Sequence, residues 1–146
     1  MFCIQNYYSM NVSILCFAML LVYQQNQRTI DLKDHIWSKR IVCIEAIDMS
    51  QALEQITNFK QAIKGNQERK ILFYTKILNS YYEGLELNEI EKIKNFPSNQ
   101  NKNNLIITLI GLDGGIKHKW NETIEPIVVF QKIDAMPMRV YENRKF

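Results

Sequence analysis

Apolar residues recur along this chain in short blocks whose spacing separates strands from helices. Ile41 to Ile47 is a near-continuous apolar run broken by Glu45, with the length and β-branching of a central strand. Lys70 to Lys76, Leu105 to Leu109 and Ile116 to Trp120 are three further strand-length blocks. Between the first two, Met49, Ala52, Leu53, Ile56, Phe59 and Ile63 recur in steps of three and four, which predicts a helix with one face on a sheet. Asp48-Met49-Ser50-Gln51 has the capping-box spacing at its start, and Gly65 is placed to end it. Asn88-Glu89-Ile90-Glu91 repeats that spacing and predicts a short helix with Ile90, Ile93 and Phe96 inward, stopped by Pro97.

The segments between these blocks read as connections. Leu32 to Trp37 predicts a turn of helix that brings Trp37 to the core edge, Asn79 to Gly84 a polar link bearing Tyr81 and Tyr82, and Ser98 to Asn104 a polar loop. Asp113-Gly114 is the pair a type I′ hairpin turn demands. Pro126 suits the first turn of a last helix through Ile127, Phe130, Ile133 and Met136, which Pro137 closes. Strand, helix, strand, helix, strand, hairpin strand, helix is the thioredoxin-like order: an α/β domain with a four-stranded mixed sheet and helices on both faces. No internal repeat is present.

The N-terminal block is different in kind. Val12 to Tyr23 is apolar except for Ser13, and Arg28 is the first charged side chain in the chain. That length matches the core of a secretory signal better than a membrane span, so residues 1–27 are read as a signal peptide or leader, 32–142 as the domain and 143–146 as a tail. Met1 to Asn11 lacks Lys and Arg, and no small-x-small cleavage site lies in Tyr23-Gln24-Gln25-Asn26-Gln27. Met10 is an alternative start, and an uncleaved anchor or a buried first helix are the other readings. The expected location is periplasmic or extracellular, with no membrane span in the mature domain.

Composition narrows the class. With 146 residues, 47% of them hydrophobic, the chain can bury one core and has no room for two ordinary domains. Its net charge of +3 arises from 18 basic and 15 acidic residues interspersed along the chain, with no basic tract longer than a pair such as Lys39-Arg40. Nucleic acid is not an expected partner.

Thiol chemistry on this element order needs a cysteine at the start of the first helix, where free N–H groups lower its pKa. Ile47-Asp48-Met49-Ser50-Gln51 supplies none. Ser50 would need a positioned base, and spacing places neither His35 nor His118 beside it. Of the three cysteines, Cys3 and Cys16 fall in the leader, and Cys43 sits within an apolar run where a free cysteine behaves as a small buried hydrophobe. Two histidines more than eighty residues apart match no metal spacing, Glu86, Glu89 and Glu91 read as dipole compensation, and Gly111 to Lys117 is followed by a strand, unlike a phosphate loop. Asn121-Glu122-Thr123 is a formal glycosylation sequon. No catalytic residue, cofactor or metal ligand is expected.

Leu109 to Lys117 (LIGLDGGIK) and Ile133 to Arg139 (IDAMPMR) resemble the paired C-terminal signature of the domain of unknown function 4174 family, and Trp37-Ser38-Lys39-Arg40 before a hydrophobic strand is similar to that family's opening. The motif residues are Asp113, Gly114, Gly115, Lys117, Ile133, Asp134, Ala135, Met136, Pro137, Met138 and Arg139. The resemblance covers 32 to 142 and implies a thioredoxin-like, peroxiredoxin-related fold without the redox cysteine, found in exported bacterial proteins and in sushi-repeat proteins of the vertebrate extracellular matrix. Leu112 departs from it, since the family commonly has lysine before Asp-Gly. The expectation is an exported, non-catalytic domain that binds an envelope or extracellular partner; the alternative is a residual thiol oxidoreductase or peroxidase using Cys43.

Overall fold

In a computed structural model that describes residues 28–97 and 104–143, the apolar blocks assemble into one mixed sheet and a smaller strand pair. The leader at 1–27, nearly all of the loop Ser98 to Asn104 and the tail beyond Asn143 lie outside the described residues. The strands are β1 (Thr29–Asp31), β2 (Arg40–Ala46), β3 (Ile71–Ile77), β4 (Ser80–Glu83), β5 (Asn88–Ile90), β6 (Lys92–Lys94), β7 (Leu105–Ile110) and β8 (Ile116–Trp120). The helices are α1 (Met49–Gln61), α2 (Ile63–Glu68), α3 (Pro126–Asp134) and α4 (Pro137–Asn143), and a 3-10 turn spans Leu32–His35.

The main sheet has six strands in the order β5-β4-β3-β2-β7-β8. Its central four, β3-β2-β7-β8, are the predicted strands in thioredoxin-like order, with β2 and β3 parallel and the other pairs antiparallel. Alternation along β2 divides two cores. Val42, Ile44 and Ala46 face Ala52, Ile56 and Phe59 of α1 and Val129, Phe130 and Ile133 of α3. Ile41 and Cys43 face the other way, toward Ile30, Leu32, Tyr74, Ile90 and Ile93. Covered on both faces, β2 is apolar at nearly every position. Gln55, buried in α1, donates to the Ile124 carbonyl at 3.0 Å and accepts from the Ile124 N–H at 2.8 Å, which fastens the approach to α3 onto α1.

Several expectations are corrected. The sheet gains two strands, because Asn79 to Gly84 contains β4, folded back on β3 through a two-residue turn at Leu78 and Asn79. The helix expected over Asn88 to Phe96 is absent: β5 pairs with β4, and β6 pairs in parallel with β1, matching Ile30 to Ile93. Lys92-Ile93-Lys94 alternates with strand period, and sheet pairing overrides a capping signal that spans barely two turns. As a result the second core is built from strands and the 3-10 turn, with no α-helical residue among those described.

Smaller corrections follow the same logic. Gly65 lies inside α2 instead of ending α1, and a Cβ there would stand 2.5 Å from the Phe130 ring. Met49, Leu53, Ile63 and Ile127, expected inward, are exposed at the rims of the helical layer. Trp37, expected at the core edge, is 67% exposed at a positive φ of 65°. Pro137 opens α4 instead of merely closing α3.

Candidate functional site

The three signature segments, distant in sequence, meet where β2 begins. Pairing of Ile41 with Ile110 sets Arg40 beside the β7–β8 hairpin, and the Trp37 N–H donates to the Leu112 carbonyl at 2.6 Å. Within the hairpin, the Gly114 N–H donates to the Gly111 carbonyl at 3.0 Å and the Gly111 N–H to that of Gly115 at 2.9 Å. Gly114 has φ +75° and Asp113 has no positive φ, so the turn is a three-residue loop closed by a left-handed glycine, not type I′. Ile36 packs beneath Gly114, where an added Cβ would be 2.9 Å from Ile36 Cδ1.

This loop holds one cation. Asp113 Oδ1 accepts from the Gly115 N–H at 3.1 Å, and Oδ2 accepts from Lys117 Nζ at 2.5 Å. The Lys117 hydrogen bond, then the Gly115 N–H, keep the Asp113 carboxyl below its ordinary value. A Cβ on Gly111 would collide with Lys117 Cε, so the missing side chain lets the lysine stem lie across the loop.

The second half of the signature is a joint between α3 and α4. Ile133 is fully buried in the first core, Ala135 caps α3, Met136 packs partly buried against that core, and Pro137 opens α4. Asp134 receives Arg69 Nη2 at 2.6 Å and Nε at 3.0 Å, and Arg139 Nε at 3.4 Å. Burial raises the Asp134 carboxyl, but the two guanidinium groups outweigh it and leave the group below its ordinary value. Arg139, 6% exposed, also meets Glu68 at 2.6 Å and Glu142 at 3.4 Å. Glu142 in turn accepts from Arg40 Nη2 at 3.1 Å, while Arg40 Nη1 donates to the Arg69 carbonyl at 3.0 Å. Arg40 is 1% exposed and its Nε has no partner among the described residues.

Between the hairpin and the joint lies a cavity of about 320 Å³, lined by Arg40, Leu112, Asp113, Lys117, Met136, Pro137 and Met138. Of the motif residues, Asp113, Lys117, Met136, Pro137 and Met138 line it; Asp134 pairs with Arg139, which reaches the lining residue Arg40 through Glu142; Gly114, Gly115, Ile133 and Ala135 belong to the backbone that carries it. Sequence reasoning named Arg40 only as part of the family-like opening and missed Arg69, Glu68 and Glu142. The available signal was an arginine placed directly against the apolar run of β2.

The opposite end of the sheet, where β2 runs into α1, is the place a redox thiol would occupy. Asp48 caps α1 by accepting from the Gln51 N–H at 2.9 Å, and Ser50 Oγ donates to Asp48 Oδ1 at 2.6 Å. Neither histidine reaches Ser50: His35 Nε2 lies 2.7 Å from Tyr74 Oη, and His118 packs on Trp120. Cys43 lies within β2, 1% exposed beside Tyr74, and burial, then Glu45, push its thiol well above the usual range. Among the described residues no group of three or more His, Cys, Asp or Glu could hold a metal, and no helix is long and apolar enough to cross a membrane.

Strand order, crossover helix and terminal hairpin define a thioredoxin-like α/β domain whose helix start carries no thiol. Residues 31–142 match the family described as Domain of unknown function (DUF4174), and the chain belongs to that family. Among solved structures it is similar to reduced Plasmodium vivax 2-Cys peroxiredoxin, at 13% identity and a TM-score of 0.49 over 79% of this chain and 85% of that one. No curated protein matches the chain.

Proposed function

We propose that this is an exported, non-catalytic binding domain that engages its partner at the motif-bearing end of the sheet, in the envelope or extracellular space. The observation that supports it is convergence: Trp37 to Arg40, Leu109 to Lys117 and Ile133 to Arg139 meet around one cavity. A domain working through Cys43 would need that thiol exposed and electropositive, and Cys43 is buried with a raised pKa. The export part rests on the apolar leader before Arg28.

Complementation of a deletion strain tests the reading. Leu112→Glu and Met138→Glu, each checked for unchanged Tm, are expected to lose the deletion-rescuing activity, and Cys43→Ala to retain it. Rescue by both cavity variants together with failure of a folded Cys43→Ala would overturn the proposal in favour of thiol chemistry.

A further inference from the structure

The cavity's lining carries information about what fits it. Its volume of about 320 Å³ lies at the small end of the range for small-molecule sites. Four of its seven lining residues, Leu112, Met136, Pro137 and Met138, are apolar, and a bare inorganic anion would gain nothing from them. Methionine side chains can reshape around a branched or aromatic body.

The charged lining is two cations against one anion: Arg40 and Lys117 against Asp113. Asp113 has both oxygens engaged, with the Gly115 N–H and Lys117 Nζ, so it is a poor acceptor for a cationic ligand. Lys117 Nζ has three N–H donors and uses one of them on Asp113. The Arg40 guanidinium, shielded from water, is already paired with Glu142 and the Arg69 carbonyl, so Lys117 is the lining cation with donors to spare. An ion pair as exposed as Lys117–Asp113 contributes little to stability, yet the missing side chain at Gly111 makes room for it. The hairpin is therefore arranged to hold an ammonium group in place at the cavity.

We propose that the cavity binds a small monocarboxylate with an apolar body, the carboxylate on Lys117 Nζ and the body against Leu112, Met136 and Met138. This rests on the reading of the motif-bearing end as the binding end. The carboxylate can belong to a free organic acid or to the C-terminal residue of a peptide, and the same chemistry recognises both.

The test uses the full chain labelled at its methionine methyl groups. Met136 and Met138 report on the cavity, and Met49, at the other end of the sheet, is the control. The probes are 4-methylpentanoate, phenylacetate and N-acetyl-glycyl-leucine, the matched primary amide of each, the amine 3-methylbutylamine, and inorganic phosphate. The expected result is a saturable shift of the Met136 and Met138 signals with the carboxylates, Met49 unmoved, and affinity for the amides lower by about tenfold or more. Lys117→Gln should abolish that preference at unchanged Tm, and Lys117→Arg should restore it in part. Preference for the free acids or for the peptide identifies the source. Equal binding of acids and amides, preference for the amine or phosphate, or full affinity in Lys117→Gln overturns the ligand class while leaving a binding site at this end. No shift at Met136 and Met138 with any probe also overturns it, and the complementation experiment then decides separately whether this end of the sheet matters.

Discussion

Arg69 and Asp134, 65 residues apart, meet in a two-pronged ion pair, with Nη2 2.6 Å and Nε 3.0 Å from the carboxylate. The same guanidinium lies over the Phe130 ring, 4.5 Å from its centroid, so the pair joins the end of α2 to both the core and the signature joint. Asp134→Ala would leave Arg69 and Arg139, whose side chains are 14% and 7% exposed, without this acceptor. The expected loss is about 1–3 kcal/mol in chemical denaturation. Arg139→Ala should also destabilise, and a double-mutant cycle should give a coupling of at least about 0.5 kcal/mol. Strict additivity would show that Arg139 is held by Glu68 and Glu142 alone.

The pH dependence follows with a definite sign. Asp113 and Asp134 both lie below their ordinary value in the folded chain, so the unfolded chain binds more protons. Their stabilisation is fully present above the unfolded carboxylate value near about 4 and is lost as pH falls through the folded values. Denaturation midpoints measured between pH 7 and pH 2 should fall on the acid side, and Asp134→Asn should flatten that fall. A midpoint rising toward low pH would contradict the geometry.

Cys43 is expected to be inert. It should resist a water-soluble thiol reagent until the protein is unfolded, and the domain should neither reduce insulin disulfides nor consume peroxide above a heat-killed control. Cys43→Ala should cost about 1–2 kcal/mol through lost packing. Rapid labelling of the native protein would place the thiol at a surface.

Two glycines are expected to be sensitive for different reasons. Gly114→Val meets both a left-handed backbone and Ile36, and should cost about 1–3 kcal/mol. Gly65→Ala has no φ penalty but drives a methyl group into the Phe130 ring, so its cost, also about 1–3 kcal/mol, is overpacking. Phe130→Leu should relieve Gly65→Ala and leave Gly114→Val unrelieved.

The proposed export has a structural bound. β1 pairs with β6, and Arg28 reaches Glu83 at 3.1 Å, so processing that spares the fold must cut at or before Arg28. N-terminal sequencing of secreted material should therefore begin between Gln24 and Arg28. A soluble cytoplasmic protein with an intact N-terminus would end the export proposal.

What was legible in the sequence was whatever short-range spacing encodes. The four central strands, α1 with its Asp48 cap, and the start of α3 at Pro126 lie within a residue or two of their expected bounds. The β3–β4 hairpin was hidden because its turn uses Leu78 at φ +53° instead of the expected glycine. The region 88–96 misled because capping-box chemistry and a three-residue rhythm coincide there with a strand alternation only three residues long. At the candidate site, turn glycines and the Pro137 break were readable. Convergence was not, since nothing local ties Arg40 to Glu142 across 102 residues.

The buried amide of Gln55, engaging both backbone groups of Ile124, also bears on how the domain comes apart. Those two hydrogen bonds bind an early helix to the start of the C-terminal helical pair, 69 residues later. A segment so attached does not fray independently: exposing the Ile124 amide requires either stranding Gln55 in an apolar interior or separating α1 from the sheet. Hydrogen exchange at Ile124 thus belongs with the slowest, global opening of the molecule, and the C-terminal helical pair opens with the first core.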